Sequence, residues 1–214
     1  MQTKTLQNLF LILLFTVAIN TVVFTSSGSA LAGENTTLFA SNETRQESSE
    51  ISEQLDVVMG RYERESGEGL GDKGTQKWQS FLATLKGRPA LEQIKAVNTY
   101  ANRRTYKTDK ANYGTGDYWA TPKEFLSRGG DCEDFAIIKL ISLQQLGFSA
   151  DSLRIVVLVD TELRTPHAVL SVNVDGNFLI LDNQSSTVES DMTLSNYVPV
   201  YSINTKGWWM HSFS

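Results

Sequence analysis

The chain has 214 residues, 41% hydrophobic and 20% charged, with a net charge of −5 and a single cysteine. Length and composition suit one ordinary domain with a real core. The acidic balance, with no basic patch interleaved with aromatics, argues against a nucleic-acid binder, and a lone cysteine excludes an internal disulfide.

Met1 to Ala32 reads as a secretory signal. Lys4 supplies the positive start, Leu9 to Phe24 is mostly apolar, and Ala30-Leu31-Ala32 fits cleavage before Gly33. The rival reading is an uncleaved membrane anchor. The apolar run is short for a span and is broken by Thr16 and Asn20, so cleavage is favoured. Cleavage removes one lysine and no acid, leaving the mature chain more acidic. An exported protein often passes through an oxidising compartment, where a spare thiol is a liability, so its retention flags it as reactive.

Residues 33–50 are polar apart from Leu38 and Phe39 and predict a flexible mature N-terminus. The spacing predicts a helix over 52–65, with Leu55, Val58, Met59 and Tyr62 on one face. After a glycine-rich break at Gly67 to Gly74, a second helix runs from Thr75 to Lys86 with Trp78, Phe81, Leu82 and Leu85 in register. A third carries Leu91, Ile94, Val97, Tyr100 and Ala101. Residues 105–120 predict a loop. Thr121-Pro122-Lys123-Glu124 then spells a helix start, with Thr121 as N-cap, Pro122 at N1 and Glu124 completing a capping box.

Gly129-Gly130-Asp131-Cys132-Glu133-Asp134 follows and runs into the apolar Phe135 to Leu140, a buried helix that stops at Gly147. The glycines allow a tight turn and close backbone approach. The thiol therefore sits at a helix N-terminus, where unpaired N–H groups and the dipole favour thiolate, the nucleophilic form. A buried structural cysteine is the bland alternative, and the flanking acids weigh against it. Beyond the helix, Arg154 to Asp160, His167 to Val174, Asn177 to Asp182 and Tyr197 to Ile203 read as strands, with Asp175-Gly176 as a two-residue hairpin turn. Residues 183–196 are loop-like. Helices first and strands after give an α+β fold, an antiparallel sheet packed on the cysteine helix. One domain then spans 51–214, its helical part 51–147 and its sheet part 148–214.

A thiol nucleophile needs a base to take and return its proton. His167 and His211 are the two histidines, and His167, at a strand start, has the firmer placement. If Asp175-Gly176 is a two-residue turn, Val174 faces Asn177 and Asp182 faces Val169. His167 and Asp182 then share a sheet face as diagonal neighbours, about 7–8 Å apart at the backbone. A carboxylate there orients the imidazole and stabilises its cation. The oxyanion of an acyl-transfer reaction would meet the Cys132 backbone N–H and a second donor. Trp119 is a candidate for that donor, with core packing the stronger reading.

Asp131, Glu133 and Asp134 have two readings. They are helix caps, or, with Asp117 and Asn112 from the preceding loop, they are hard oxygen ligands for Ca²⁺. Carboxylates beside a thiolate raise its pKa, and a bound divalent cation cancels that penalty. Without a His/Cys cluster, zinc is disfavoured.

Trp78 with Phe81, Asp117-Tyr118-Trp119-Ala120-Thr121-Pro122, Gly130-Asp131-Cys132-Glu133-Asp134-Phe135-Ala136, His167-Ala168-Val169-Leu170 and Leu181-Asp182-Asn183 resemble the bacterial transglutaminase-like cysteine proteinases, in particular the LapG-type periplasmic proteases. The resemblance spans roughly Trp78 to Trp209. It implies a papain-like fold of the transglutaminase-like branch, a Cys132–His167–Asp182 triad, and Ca²⁺ bound through Asp131 and Glu133 and needed for activity. It also implies a large cell-surface biofilm adhesin as substrate, cut near its N-terminus beside a pair of alanines. An inner-membrane receptor that senses cyclic di-GMP would be the regulator. Two rival readings keep the fold and differ in activity. One is acyl transfer to an amine, and the other is a non-catalytic exported binding module.

Overall fold

The computed structural model describes residues 37–47, 50–68 and 71–213, so the expected export signal lies outside the described residues. The helices are α1 (Glu50–Gly67), α2 (Lys73–Leu85), α3 (Ala90–Asn102), α4 (Asp109–Tyr113), α5 (Pro122–Arg128) and α6 (Cys132–Gln145). The strands are β1 (Asn42–Gln46), β2 (Leu153–Asp160), β3 (Thr165–Val174), β4 (Asn177–Leu181), β5 (Glu189–Ser190), β6 (Tyr197–Asn204) and β7 (Gly207–Ser212). The strands form one sheet in the order β1-β7-β6-β2-β3-β4-β5, with every pair antiparallel.

Helix α6 is the centre of the molecule. Every residue from Asp134 to Leu143 is buried, as expected of a helix apolar on nearly all sides. α3 and α5 pack on it from one direction, β2 and β3 from the other. The apolar stripes of α1, α2 and α3 reach this core as their spacing predicts, through Leu55, Val58, Trp78, Leu82, Ile94 and Val97. Trp78 also donates its indole N–H to Ser142 of α6 at 2.9 Å, fixing α2 against the cysteine helix.

The hairpin behaves as the Asp-Gly pair dictates. Asp175 and Gly176 both have positive φ, 52° and 84°, the requirement of a type I′ turn. Val174 pairs with Asn177 and Leu170 with Leu181, so the predicted register holds up to the end of β4.

Three segments differ from their sequence reading. Residues 38–46 are not a loose tail: Leu38–Ala40 forms a helical turn, and β1 pairs with β7 from Asn42↔Ser212 to Gln46↔Trp208. β1 is polar because it is an edge strand with mostly exposed side chains, so no alternation marks it. Its anchors are Leu38 and Phe39, buried on the far face of the sheet with Val156, Leu158, Val169, Ile180 and Tyr197. Burying each contributes roughly 1.5–3 kcal/mol. The chain past Ile203 continues as β7, whose Trp208 is buried and donates to the Glu47 carbonyl at 2.6 Å. The 105–120 loop contains α4, closed by Gly114 in the left-handed conformation.

Gly129 ends α5 at φ 76° and ψ −171°, a region open essentially to glycine alone and costing other residues about 1–3 kcal/mol. A Cβ there would lie 2.1 Å from the Thr105 carbonyl oxygen. Gly129→Ala is expected to lower unfolding free energy by more than about 1 kcal/mol, read as a lower urea midpoint at unchanged m-value; an unchanged midpoint contradicts this account of the turn.

Candidate active site

The start of α6 is built by its neighbours. Upstream, the capping box is present as read: Thr121 accepts from the Glu124 N–H, and Glu124 Oε2 accepts from the Thr121 N–H at 2.8 Å. Helix α5 then delivers the chain to Gly129 and Gly130. The Gly130 carbonyl accepts from the Lys107 N–H at 2.9 Å. Asp134 is fully buried; it accepts from the Ala120 N–H at 2.6 Å and from the Asp131 N–H at 3.3 Å. A Cβ on Gly130 would sit 2.0 Å from Asp134 Oδ2. The second glycine is thus the space that Asp134 fills.

Cys132 is the first residue of α6 and is half-buried. Its Sγ donates to Glu133 Oε2 at 3.3 Å, and the Ala168 N–H of β3 comes near enough to the sulfur to act on its charge. Burial is the largest influence on the thiol and pushes its pKa up; the Glu133 charge and hydrogen bond push the same way, and the Ala168 N–H pulls down. Burial first, and then the like-charge penalty expected from the sequence, thus favour the thiol over the thiolate.

His167 and Asp182 are both buried and meet as the hairpin register requires, Nε2 to Oδ1 at 2.9 Å. Asp182 Oδ1 also accepts from the Gln184 N–H at 2.8 Å, and Oδ2 accepts from the Tyr197 hydroxyl at 2.5 Å. Burial alone would raise the Asp182 pKa, but these donors, His167 first, leave it below the usual carboxylate value. With Nε2 committed to Asp182, Nδ1 is the nitrogen available to a thiol. Ala168, whose N–H meets the sulfur, is the next residue along β3, so strand and helix bring thiol and imidazole to one end of the sheet. Sulfur and imidazole are not themselves hydrogen-bonded; the thiol's proton is directed at Glu133.

The acidic residues gather around one that sequence reasoning missed. Asp109, in the first turn of α4, is buried, and carboxylate oxygens of Asp109, Asp131 and Asp134 lie within 4.8 Å of one another, as do those of Asp109, Asp117 and Glu133. The Asp109 N–H donates to Asp131 Oδ2 at 3.1 Å, and Asp109 Oδ2 accepts from the Tyr118 N–H. Asp109 Oδ1 and Asp131 Oδ1 are buried without a hydrogen-bond partner. Burial is the main cause that pushes Asp109 up to about 6 and Asp134 up to about 8, and burial with neighbouring Asp131 raises Glu133. Orphaned carboxylate oxygens in an all-oxygen donor set fit a hard divalent cation. Asn112 instead donates its amide to the Gly129 carbonyl at 3.2 Å and braces the turn.

Residues 74–212 match the family model of the bacterial transglutaminase-like cysteine proteinases. The chain belongs to this family. Its fold is transglutaminase-like, and solved structures of Legionella pneumophila LapG are similar to it. One has 34% identity and a TM-score of 0.59, covering 73% of this chain and 87% of LapG. An EGTA-treated form has 34% identity and a TM-score of 0.60 over 75% and 87%. A calcium-bound form has 32% identity and a TM-score of 0.60 over 75% and 91%. No curated protein sequence matches the chain.

Other candidates of this cysteine proteinase fall elsewhere. His211 is buried between Ser41 and Ser202, at 2.7 and 2.9 Å, and fastens the N-terminal segment to β7. Trp119 is buried, with its carbonyl bound by Arg61. Lys139, unremarked in the apolar run of α6, is fully buried; its ammonium donates to the Leu181 carbonyl at 3.3 Å, and burial pushes it down to about 7. It ties the helix of Cys132 to the strand end that carries Asp182. Tyr197 also carried no sequence signal, because its role depends on a partner on another strand. For Asp109 a signal existed, a second acid in the loop that already offered Asp117.

Asp109, Asp134 and Glu133 have folded pKa values above their unfolded ones. The metal-free fold is therefore favoured when they are protonated and loses that stability as pH rises through about 6 and then about 8. A divalent cation would bind the ionised set. Saturating Ca²⁺ is expected to raise Tm by roughly 5–10 °C at pH 8 and by much less at pH 5, read by thermal melts with Ca²⁺ and with chelator; a gain independent of pH contradicts carboxylate ligation.

Proposed function

We propose that this cysteine proteinase is an exported, Ca²⁺-dependent endopeptidase using Cys132 as nucleophile, His167 as general base and acid, and Asp182 as the group that orients the imidazole. The observation that carries the reading is the buried His167–Asp182 pair at 2.9 Å, on the strand whose Ala168 N–H meets the Cys132 sulfur.

In the reaction, His167 Nδ1 takes the thiol proton while Sγ bonds to the scissile carbonyl carbon. The negative charge that develops on the carbonyl oxygen faces the start of α6, where the Cys132 N–H is free of an intrahelical partner. The imidazolium, steadied by Asp182, gives its proton to the leaving amine, and the C–N bond breaks to leave a thioester. Water then attacks the thioester carbon, losing its proton to His167. The C–S bond breaks, the acid departs, and sulfur regains the proton.

Asp109, Asp131, Glu133, Asp134 and Asp117 are the residues that would hold the calcium ion. When bound, the ion supplies positive charge beside the nucleophile and offsets the carboxylates that now raise the thiol. The calcium-bound form of Legionella pneumophila LapG supports calcium as the ion.

The substrate we propose is the N-terminal region of a large surface adhesin whose cleavage releases it and disperses biofilm. The site of action is the periplasm, and a cyclic-di-GMP-sensing inner-membrane receptor is the regulator. The likeness to LapG and the signal-like Met1 to Ala32 support this reading.

Cys132→Ala and His167→Ala are each expected to lower cleavage of a purified N-terminal adhesin fragment by about 10³-fold or more with folding intact by circular dichroism. Chelator is expected to reduce wild-type cleavage, and re-added Ca²⁺ to restore it. Undiminished cleavage by Cys132→Ala rejects the nucleophile; activity indifferent to chelator rejects the metal.

A further inference from the structure

The Asp182 carboxylate has one oxygen engaged by the reaction machinery and one turned away from it. Oδ1 takes both His167 Nε2 and the Gln184 N–H. Oδ2 takes the Tyr197 hydroxyl, at 2.5 Å in a buried setting. The Tyr197 ring also lies edge-on to the imidazole, centroids 5.8 Å apart and planes at 60°. Tyr197 opens β6, two strands from His167 in the sheet, and its backbone N–H is fixed to the Leu194 carbonyl at 3.1 Å.

A cleft of about 270 Å³ opens behind the pair, lined by Asp182, Tyr197, Asp160, Glu162 and Glu189 among others. Without the phenol, water from that cleft would reach Oδ2. We propose that Tyr197 is the positioning residue of the Asp182–His167 pair: its hydroxyl closes Oδ2 and leaves Oδ1 as the oxygen presented to the imidazole.

This rests on the triad reading above. Phenol donation spreads the carboxylate charge and holds its plane; removing the hydroxyl leaves Oδ1 anchored by Gln184 but makes the carboxylate a stronger base. The imidazolium it contacts is then held more tightly, and the returning proton is released more slowly to the leaving amine. The other charged groups facing the pair are Asp160 from β2, Lys139 from α6 and Glu189 from β5, and all remain in Tyr197→Phe.

The test uses the calcium-loaded protein. The chain has two histidines, so ring ¹⁵N NMR gives two titrations, and His167→Ala identifies which is which, with His211 as the internal reporter of an intact fold. Tyr197→Phe is expected to raise the His167 pKa by roughly 0.5 unit and to lower kcat on the adhesin fragment roughly 3- to 30-fold with little change in KM. In an Asp182→Asn background the same change should have no further effect. A second readout is the slowly exchanging phenolic proton of the wild-type protein, a downfield signal expected to vanish in Tyr197→Phe. An unmoved His167 titration with unchanged kcat, or no such proton, overturns the role of Tyr197 while the triad stands. Full activity in His167→Ala overturns the triad, and the role of Tyr197 with it.

Discussion

A single buried carboxylate, Asp134, holds the active region together. One of its oxygens receives the Ala120 N–H and the other the Asp131 N–H, and it fills the volume that Gly130 leaves empty. Three segments converge on it: the loop before α5, the turn after α5, and the first turn of α6. Buried polar groups are costly unless paired, so this carboxylate tolerates little displacement of any of the three. Cys132 inherits its position from that constraint, two residues before Asp134 on the same helical turn.

The same construction brings an electrostatic conflict. Anchoring the Cys132 turn with carboxylates surrounds the thiol with negative charge, and Asp109 adds another from α4. The thiol is raised by burial and by Glu133, and Asp109 and Asp134 are raised by burial. Two carboxylate oxygens stay buried without a donor. A site with this excess of hard acceptors has the donor chemistry that suits a hard divalent cation. In its absence the thiol's own proton answers Glu133.

His167 is held by a separate set of elements. The β3–β4 hairpin brings His167 to Asp182; Tyr197 on β6 and Lys139 on α6 reach the same strand end from two further elements. The sheet that supports them is closed at one edge by β1, and Leu38 and Phe39 cover the face on which Tyr197 sits. The polar N-terminal stretch is thus part of the packing beneath the His167–Asp182 pair.

What the sequence determined by itself is what depends on neighbours a few residues apart. The capping box at Thr121–Glu124, the I′ turn at Asp175-Gly176, the register that puts His167 beside Asp182, and the apolar run that buries α6 all follow from local stereochemistry and period. Tertiary structure alone decided the rest: that Asp109 joins Asp131 from 22 residues away, that Tyr197 meets Asp182, that Lys139 lies in the core, and that the polar β1 is a strand. These depend on which surfaces meet once the core has closed. An edge strand carries no hydrophobic alternation, and a carboxylate or phenol in a one-dimensional sequence does not reveal its partner, because burial, not residue type, makes the contact obligatory.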